Sequence, residues 1–271
     1  MEKEIKPQRE RISNEYIQSI LEKKGDIPVN LLLNASKSNK ISNEVILELI
    51  KSKVDVTLWE NRFSNTSLHY LLSRKEISFE IIKEMVENKA DINHQNISNM
   101  TPFHISLIYQ NSFEIINHLI ENKADLLAQN EIKNTPLHLC LVNQSDFQII
   151  KLLVDKKCDL NLTNIDEEIP LGTFLRLGSV SLEIVKYLVE NKSDLNQRDK
   201  FDQTPLQIAS RSDDLEIIKY LVESKSDPFC VDQKKHNLIH LAAIGNSKPE
   251  IIKYFIDLKI DFKALNENGF F

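Results

Sequence analysis

Thr101-Pro-Phe-His-Ile, Thr135-Pro-Leu-His-Leu and Thr204-Pro-Leu-Gln-Ile are three copies of one pentapeptide. Looser copies stand at Thr66-Ser-Leu-His-Tyr, Ile169-Pro-Leu-Gly-Thr and Asn237-Leu-Ile-His-Leu, and the faintest at Leu31-Leu-Leu-Asn-Ala. Their second residues fall at 32, 67, 102, 136, 170, 205 and 238, with gaps of 35, 35, 34, 34, 35 and 33. A second element keeps step with the first. It reads Glu80-Ile-Ile-Lys-Glu-Met-Val-Glu-Asn-Lys-Ala-Asp and Glu114-Ile-Ile-Asn-His-Leu-Ile-Glu-Asn-Lys-Ala-Asp, and recurs from Glu44, Gln148, Glu183, Glu216 and Glu250. Two anchors sharing one period over most of a chain mark a stacked repeat.

Each unit decodes into two helices. Pro at the first helical position loses no hydrogen bond there, and its fixed φ suits the helix. The Thr before it supplies an oxygen for an orphan N–H. The second element sets apolar residues on one helical face, as in Ile217, Ile218, Leu221 and Val222. Lys219, three residues after Glu216, can pair with it on the solvent side. Polar linkers with Asn or Asp near the middle read as hairpins or extended turns.

Composition narrows the function. Only 5 of 271 residues are glycine, under 2 %, against a usual share of about 7 %. Phosphate loops and dinucleotide folds spend glycine, so those enzyme classes are disfavoured. A hydrophobic share of 41 % supports a buried core. The net charge of -6 argues against broad binding to nucleic acid or anionic membrane. The charged start, Met1 to Glu10, has no apolar signal region, and no apolar run reaches the roughly 18 residues of a membrane span. Cys140, Cys158 and Cys230 are odd in number and scattered, as reduced thiols of a cytoplasmic or nuclear protein are.

The motifs resemble the ankyrin repeat family over roughly residues 12–270: Thr-Pro-Leu-His opens helix one, Glu-Ile-Ile-Lys opens helix two, and Ala-Asp-x-Asn leads into a finger. The resemblance implies an all-α repeat solenoid of antiparallel helix pairs joined by hairpin-like fingers. Repeats would begin near 31, 66, 101, 135, 169, 204 and 237 in a single domain, 12–271. A capping helix would lie within 12–27, and a polar leader would occupy 1–11. Residues 261–271 start another finger, so either the array stops short or Phe270 and Phe271 fold back as a lid.

The resemblance also assigns the evenly spaced His69, His104, His138 and His240 to structure, the imidazole bonding the Thr side chain of the motif and neighbouring backbone. Asn34, Gly172 and Gln207 replace that histidine, so their units should be less rigid. No nucleophile elbow, zinc helix, P-loop or C-x-x-C occurs. Cys140 falls on a core slot, and Asp166, Glu167 and Glu168 read as solvated finger charges. The expectation is a chain without catalytic residues, cofactor or metal.

Lysine recurs two residues before each closing aspartate, at Lys24, Lys53, Lys89, Lys123, Lys157, Lys192, Lys225 and Lys259. The family pattern has glycine there, in a left-handed helix terminus. The register reads as a basic ladder for an acidic partner or as a turn habit, and the acidic total charge favours the habit. Family resemblance places binding on finger tips and on the concave end of helix one. The tips carry Phe63, Ile97, Met100, Ile132 and Phe201, and the helix-one tails carry Arg74, Tyr109, Arg176 and Arg211. Exposed aromatics and arginines are frequent hot spots, although Ile97, Ile132 and Ile165 could instead pack between fingers. The leading expectation is a monomeric scaffold or adaptor that binds another protein. The alternatives are a binder of a small anion or nucleic acid through the groove arginines, and a recruiting module of a larger enzyme complex.

Overall fold

A computed structural model describes residues 12–23, 26–178 and 180–270. The expected leader at 1–11, Lys24 and Phe271 lie outside the described residues. Among those described, fifteen helices form, with one isolated bridge between Trp59 and Thr66. After α1 (Asn14–Glu22) come α2 and α3 (Leu31–Ser36, Asn43–Lys51), α4 and α5 (Ser67–Leu72, Phe79–Glu87), and α6 and α7 (Pro102–Ile108, Phe113–Glu121). Then follow α8 and α9 (Pro136–Val142, Phe147–Asp155) and α10 and α11 (Pro170–Leu175, Leu182–Glu190). The last pairs are α12 and α13 (Pro205–Ala209, Leu215–Glu223) and α14 and α15 (Leu238–Ile244, Pro249–Asp257).

The chain divides into two compact units, Met1–Asp125 and Leu126–Phe271. In the first, α2, α4 and α6 pack in one row and α1, α3, α5 and α7 in another. In the second, α10 packs between α8 and α12, and α11 packs on α13. Apolar stripes close the layers, with Leu68, Leu71, Leu72, Ile81, Ile82 and Met85 fully buried in the first unit. Each such side chain contributes about 1.5–3 kcal/mol of burial.

Caps follow the motif. Thr66, Thr101 and Thr135 accept the N–H of His69, His104 and His138, while each ring returns Nδ1 to the threonine amide. Two orphan donors are thus satisfied together, as in a capping box. Of the three replacements expected to weaken a unit, Gln207 does not weaken its cap. Its side-chain oxygen accepts the Thr204 amide at 3.0 Å, so an amide does what the imidazole does. The helices bearing Asn34 and Gly172 do lack a side-chain cap.

All seven described lysines of the register have positive φ, between 58° and 78°. At the end of α5 the Lys89 amide donates to Val86 and the Ala90 amide to Met85, both at 2.9 Å. That is the Schellman pattern, with lysine where glycine is preferred. The finger slot repeats the strain at Ser64, Asn99, Lys133, Glu167, Asp202 and Lys235. A third slot, unforeseen in the sequence, ends the first helices at Gln110, Gln144 and Asn246, with Gly178 its glycine version. Each L-residue held there costs on the order of 1 kcal/mol.

Fingers are fixed by an Asx turn. Asn130 Oδ1 accepts the amides of Ile132 and Asn134, and Asp199 and Asp232 do the same in later repeats. Within each unit, neighbouring fingers share backbone bonds, as from Ile97 N to Phe63 O and from Gln233 N to Phe201 O. Phe270 does not fold back as a lid. It is 68 % exposed, and its carbonyl accepts His240 Nε2–H at 3.2 Å.

Candidate partner-binding surface

The histidines are part of the scaffold. His69 Nε2–H donates to the Met100 carbonyl and His138 Nε2–H to that of Glu168, both at 3.0 Å. With Nδ1 already accepting an amide, each ring is held neutral. Burial pushes both down to about 4 from an ordinary 6.5. Cys140 is likewise sealed: burial pushes its thiol up to about 12, which makes it a poor nucleophile.

In the first unit the tips stand open. Phe63 is exposed with the Arg62 guanidinium over its ring at 4.8 Å, and Ile97 is 60 % exposed. Tyr109, the C-cap residue of α6, is exposed too, while Met100 is half-buried. Ile97 does not pack between fingers: its amide makes the contact and its side chain faces solvent. Trp59, bridged to Thr66 at the base of its finger, is an exposed residue that sequence reasoning passed over; its ring lies against that of His94 at 5.4 Å. Its one signal was being the sole tryptophan, in a polar finger.

Arg74 belongs elsewhere. It is 6 % exposed, and one guanidinium nitrogen donates to the carbonyls of Ser38 and Ile41 while another reaches Asn43 Oδ1. It stitches the turn of the preceding repeat, so its guanidinium is already occupied by the fold. The reason is register. Arg74 lies eight residues after Thr66, whereas Arg176 and Arg211 lie seven after Ile169 and Thr204. One helical residue turns a side chain by about 100°.

In the second unit Arg176, Phe201 and Arg211 line two neighbouring cavities, and Ile132 lines neither. Ile132 and Ile165 are exposed at their tips, bonded through backbone rather than packed together. Phe201 is exposed under the Lys200 ammonium at 5.0 Å. A cavity of about 560 Å³ opens where α10, α12 and α14 end, lined by Arg176, Ile208, Arg211 and Ile244. Beside it lies one of about 230 Å³, lined by Phe201, Arg211, Lys234, Leu241 and Ile244. Ile244 was not foreseen. It lies seven residues after Asn237, in the slot of Arg176 and Arg211, so counting by slot would have found it.

The two arginines differ in occupation. Arg176 Nε donates to Glu168 Oε1, and another of its nitrogens donates to Asp199 Oδ2 at 2.6 Å. Glu168, expected as a solvated loop charge, is therefore buried, because the guanidinium and Thr173 Oγ1 replace its water. Asp166 fits the surface reading and pairs with Lys200. Burial works against ionisation of Asp232, but the His236 amide, the Gln203 amide and the His236 ring hold its carboxyl below the usual range. Arg211 is exposed, and among the described residues no side-chain hydrogen bond or ion pair engages its guanidinium.

Gly245 shapes this wall. A Cβ there would sit 2.5 Å from the Arg211 carbonyl oxygen, so only glycine lets α14 end so close. Gly178, at φ 86°, lines the same cavity. Among the described residues no helix is long and apolar enough to cross a membrane.

Comparison with curated proteins finds no match. The family described as ankyrin repeats matches in three overlapping copies, at residues 31–130, 73–164 and 137–231, well over half of the chain. Its helix pairs, Thr-x-x-His caps and fingers are those expected of such repeats, and the chain belongs to the ankyrin repeat family.

Proposed function

We propose that this chain is a non-catalytic scaffold that binds another protein through its finger tips and the groove at the ends of its first helices. One observation carries the reading. The tips at Phe63, Ile97, Ile132 and Phe201 are joined to neighbouring fingers through their backbone, and their large apolar side chains are exposed. Exposed apolar groups of this size are the kind that anchor interfaces. In the first unit Tyr109 adds to the exposed tips, and in the second Arg211 adds to the groove. Arg176 acts by positioning, since two buried carboxylates already hold it.

Family membership supports the reading, since ankyrin repeats are generally protein-interaction modules. Three free cysteines suit a reducing compartment such as the cytoplasm. The test is affinity capture with mass spectrometry, comparing wild type with Tyr109→Ala/Phe201→Ala. Loss of a specific partner at unchanged melting temperature is expected. Unchanged capture would remove Tyr109 and Phe201 from the interface.

A further inference from the structure

We infer that the groove of the second unit takes an extended peptide in which an acidic residue stands next to a large apolar one. The inference rests on the protein-binding reading and adds the chemistry of the partner. Charge comes first. Arg211 stands on the wall common to both cavities, and Lys234 stands at the smaller one. Both are exposed, and neither side chain has a hydrogen bond or ion pair among the described residues.

Three nearby carboxylates are already engaged. Glu168 and Asp199 hold Arg176. Asp232 accepts two backbone amides on one oxygen and Gln203 and His236 on the other. The lining of the two cavities therefore presents two unspent cations, while its own carboxylate, Asp232, is engaged. A carboxylate arriving there gains charge-assisted hydrogen bonds.

Apolar surface comes second. Phe201, Leu241 and Ile244 line the smaller cavity, and Ile244 is 54 % exposed in the free chain. A large apolar side chain fits that concavity, and its acidic neighbour then reaches Arg211 or Lys234. The glycines agree: a chain with 5 glycines sets two, Gly178 and Gly245, in the wall of the larger cavity. Both keep side-chain bulk out of it.

A polyanion fits less well. Asp213, Asp214 and Glu216 line the next depression, which shares Gly178 and Ser212 with the larger cavity. They repel a long run of phosphates and leave room for one or two carboxylates near Arg211.

The test is selection of a phage-displayed library of random dodecapeptides on the full chain. Recovered peptides are then measured by fluorescence anisotropy against wild type, Arg211→Glu, Lys234→Glu and Phe201→Ala, with circular dichroism confirming each fold. Enriched peptides should place Asp or Glu beside Leu, Ile, Phe or Met. They should bind Arg211→Glu at least about tenfold more weakly. Replacing the peptide's acid by its amide should cost affinity on wild type and little on Arg211→Glu. If Arg211→Glu fails to fold, Lys234→Glu carries the same comparison.

Neutral or basic peptides that still lose binding on Phe201→Ala would overturn the acidic chemistry and leave the protein-binding reading standing. Peptides indifferent to every groove substitution, or no enrichment, would overturn the inference. A mixed-sequence single-stranded DNA that displaces the peptides with steep salt dependence would reassign the groove to nucleic acid.

Discussion

Arg74 in the first unit and Arg211 in the second each follow a first helix, and they end in opposite places. Arg74 is buried under three acceptors from the preceding repeat, while Arg211 stands open on a groove. Charge and residue type are the same. What separates them is one position of register and what waits around the guanidinium. Repeats set the slot before the side chain, so residue type gains meaning only once its slot is known. Arg176 marks a middle case: it has Arg211's slot, but two buried carboxylates claim it.

The largest effect is a control in which the units should agree, because His69 and His138 have the same geometry. Their folded pKa, about 4, lies below the ordinary 6.5, so the unfolded chain binds more protons between those values. Stability is intact above pH 6.5 and falls as pH drops toward 4, by on the order of 3 kcal/mol per site. Thermal melts across that range should show the loss. The His69→Gln/His138→Gln variant should flatten it, because Gln207 already makes the same cap without a proton to gain. An unchanged slope would mean that these rings are charged in the fold.

Next come the arginines themselves. Arg74→Ala leaves the carbonyls of Ser38 and Ile41 without their donor and should cost about 2 kcal/mol. Arg211→Ala should stay within about 0.5 kcal/mol of wild type, as exposed positions do. Equal losses in urea melts would erase the distinction. Glu168→Gln should fall between them, since it weakens one arm of the Arg176 clamp and keeps Asp199.

The smallest effect concerns the turns, which both units share. Glycine at Lys89, Lys123 and Lys157 should each raise stability by about 0.5–1 kcal/mol, relief of left-handed strain outweighing the extra freedom of the unfolded chain. Affinity for a captured partner should not move. A large loss of affinity would make the lysines a binding ladder after all.

Much of this was legible in the sequence, for identifiable reasons. Helix pairs were legible because Thr-Pro and Glu-Ile-Ile-Lys keep one period and mark helix starts by mechanism. The left-handed lysines were legible because one residue type recurs at a helix end where glycine is wanted. The third left-handed slot was not, because Gln110 and Gln144 carry no signal of their own. Glu168 was misjudged because neighbouring acids read alike until Arg176, eight residues on, folds back over one of them. At the surface, Phe63 and Phe201 were legible from exposed apolar type, whereas Ile244 needed the slot count. Arg74 needed it too.

On the proposed reading the open groove of the second unit, rather than Arg74, engages a partner protein. Its most direct test is affinity capture by folded wild type, Phe201→Ala/Arg211→Ala and Arg74→Lys, each checked by its melting curve. The account predicts that the groove variant loses the partner, while Arg74→Lys, though less stable, still captures it. Full capture by the groove variant, or loss of the partner with Arg74→Lys while that variant remains folded, would contradict it.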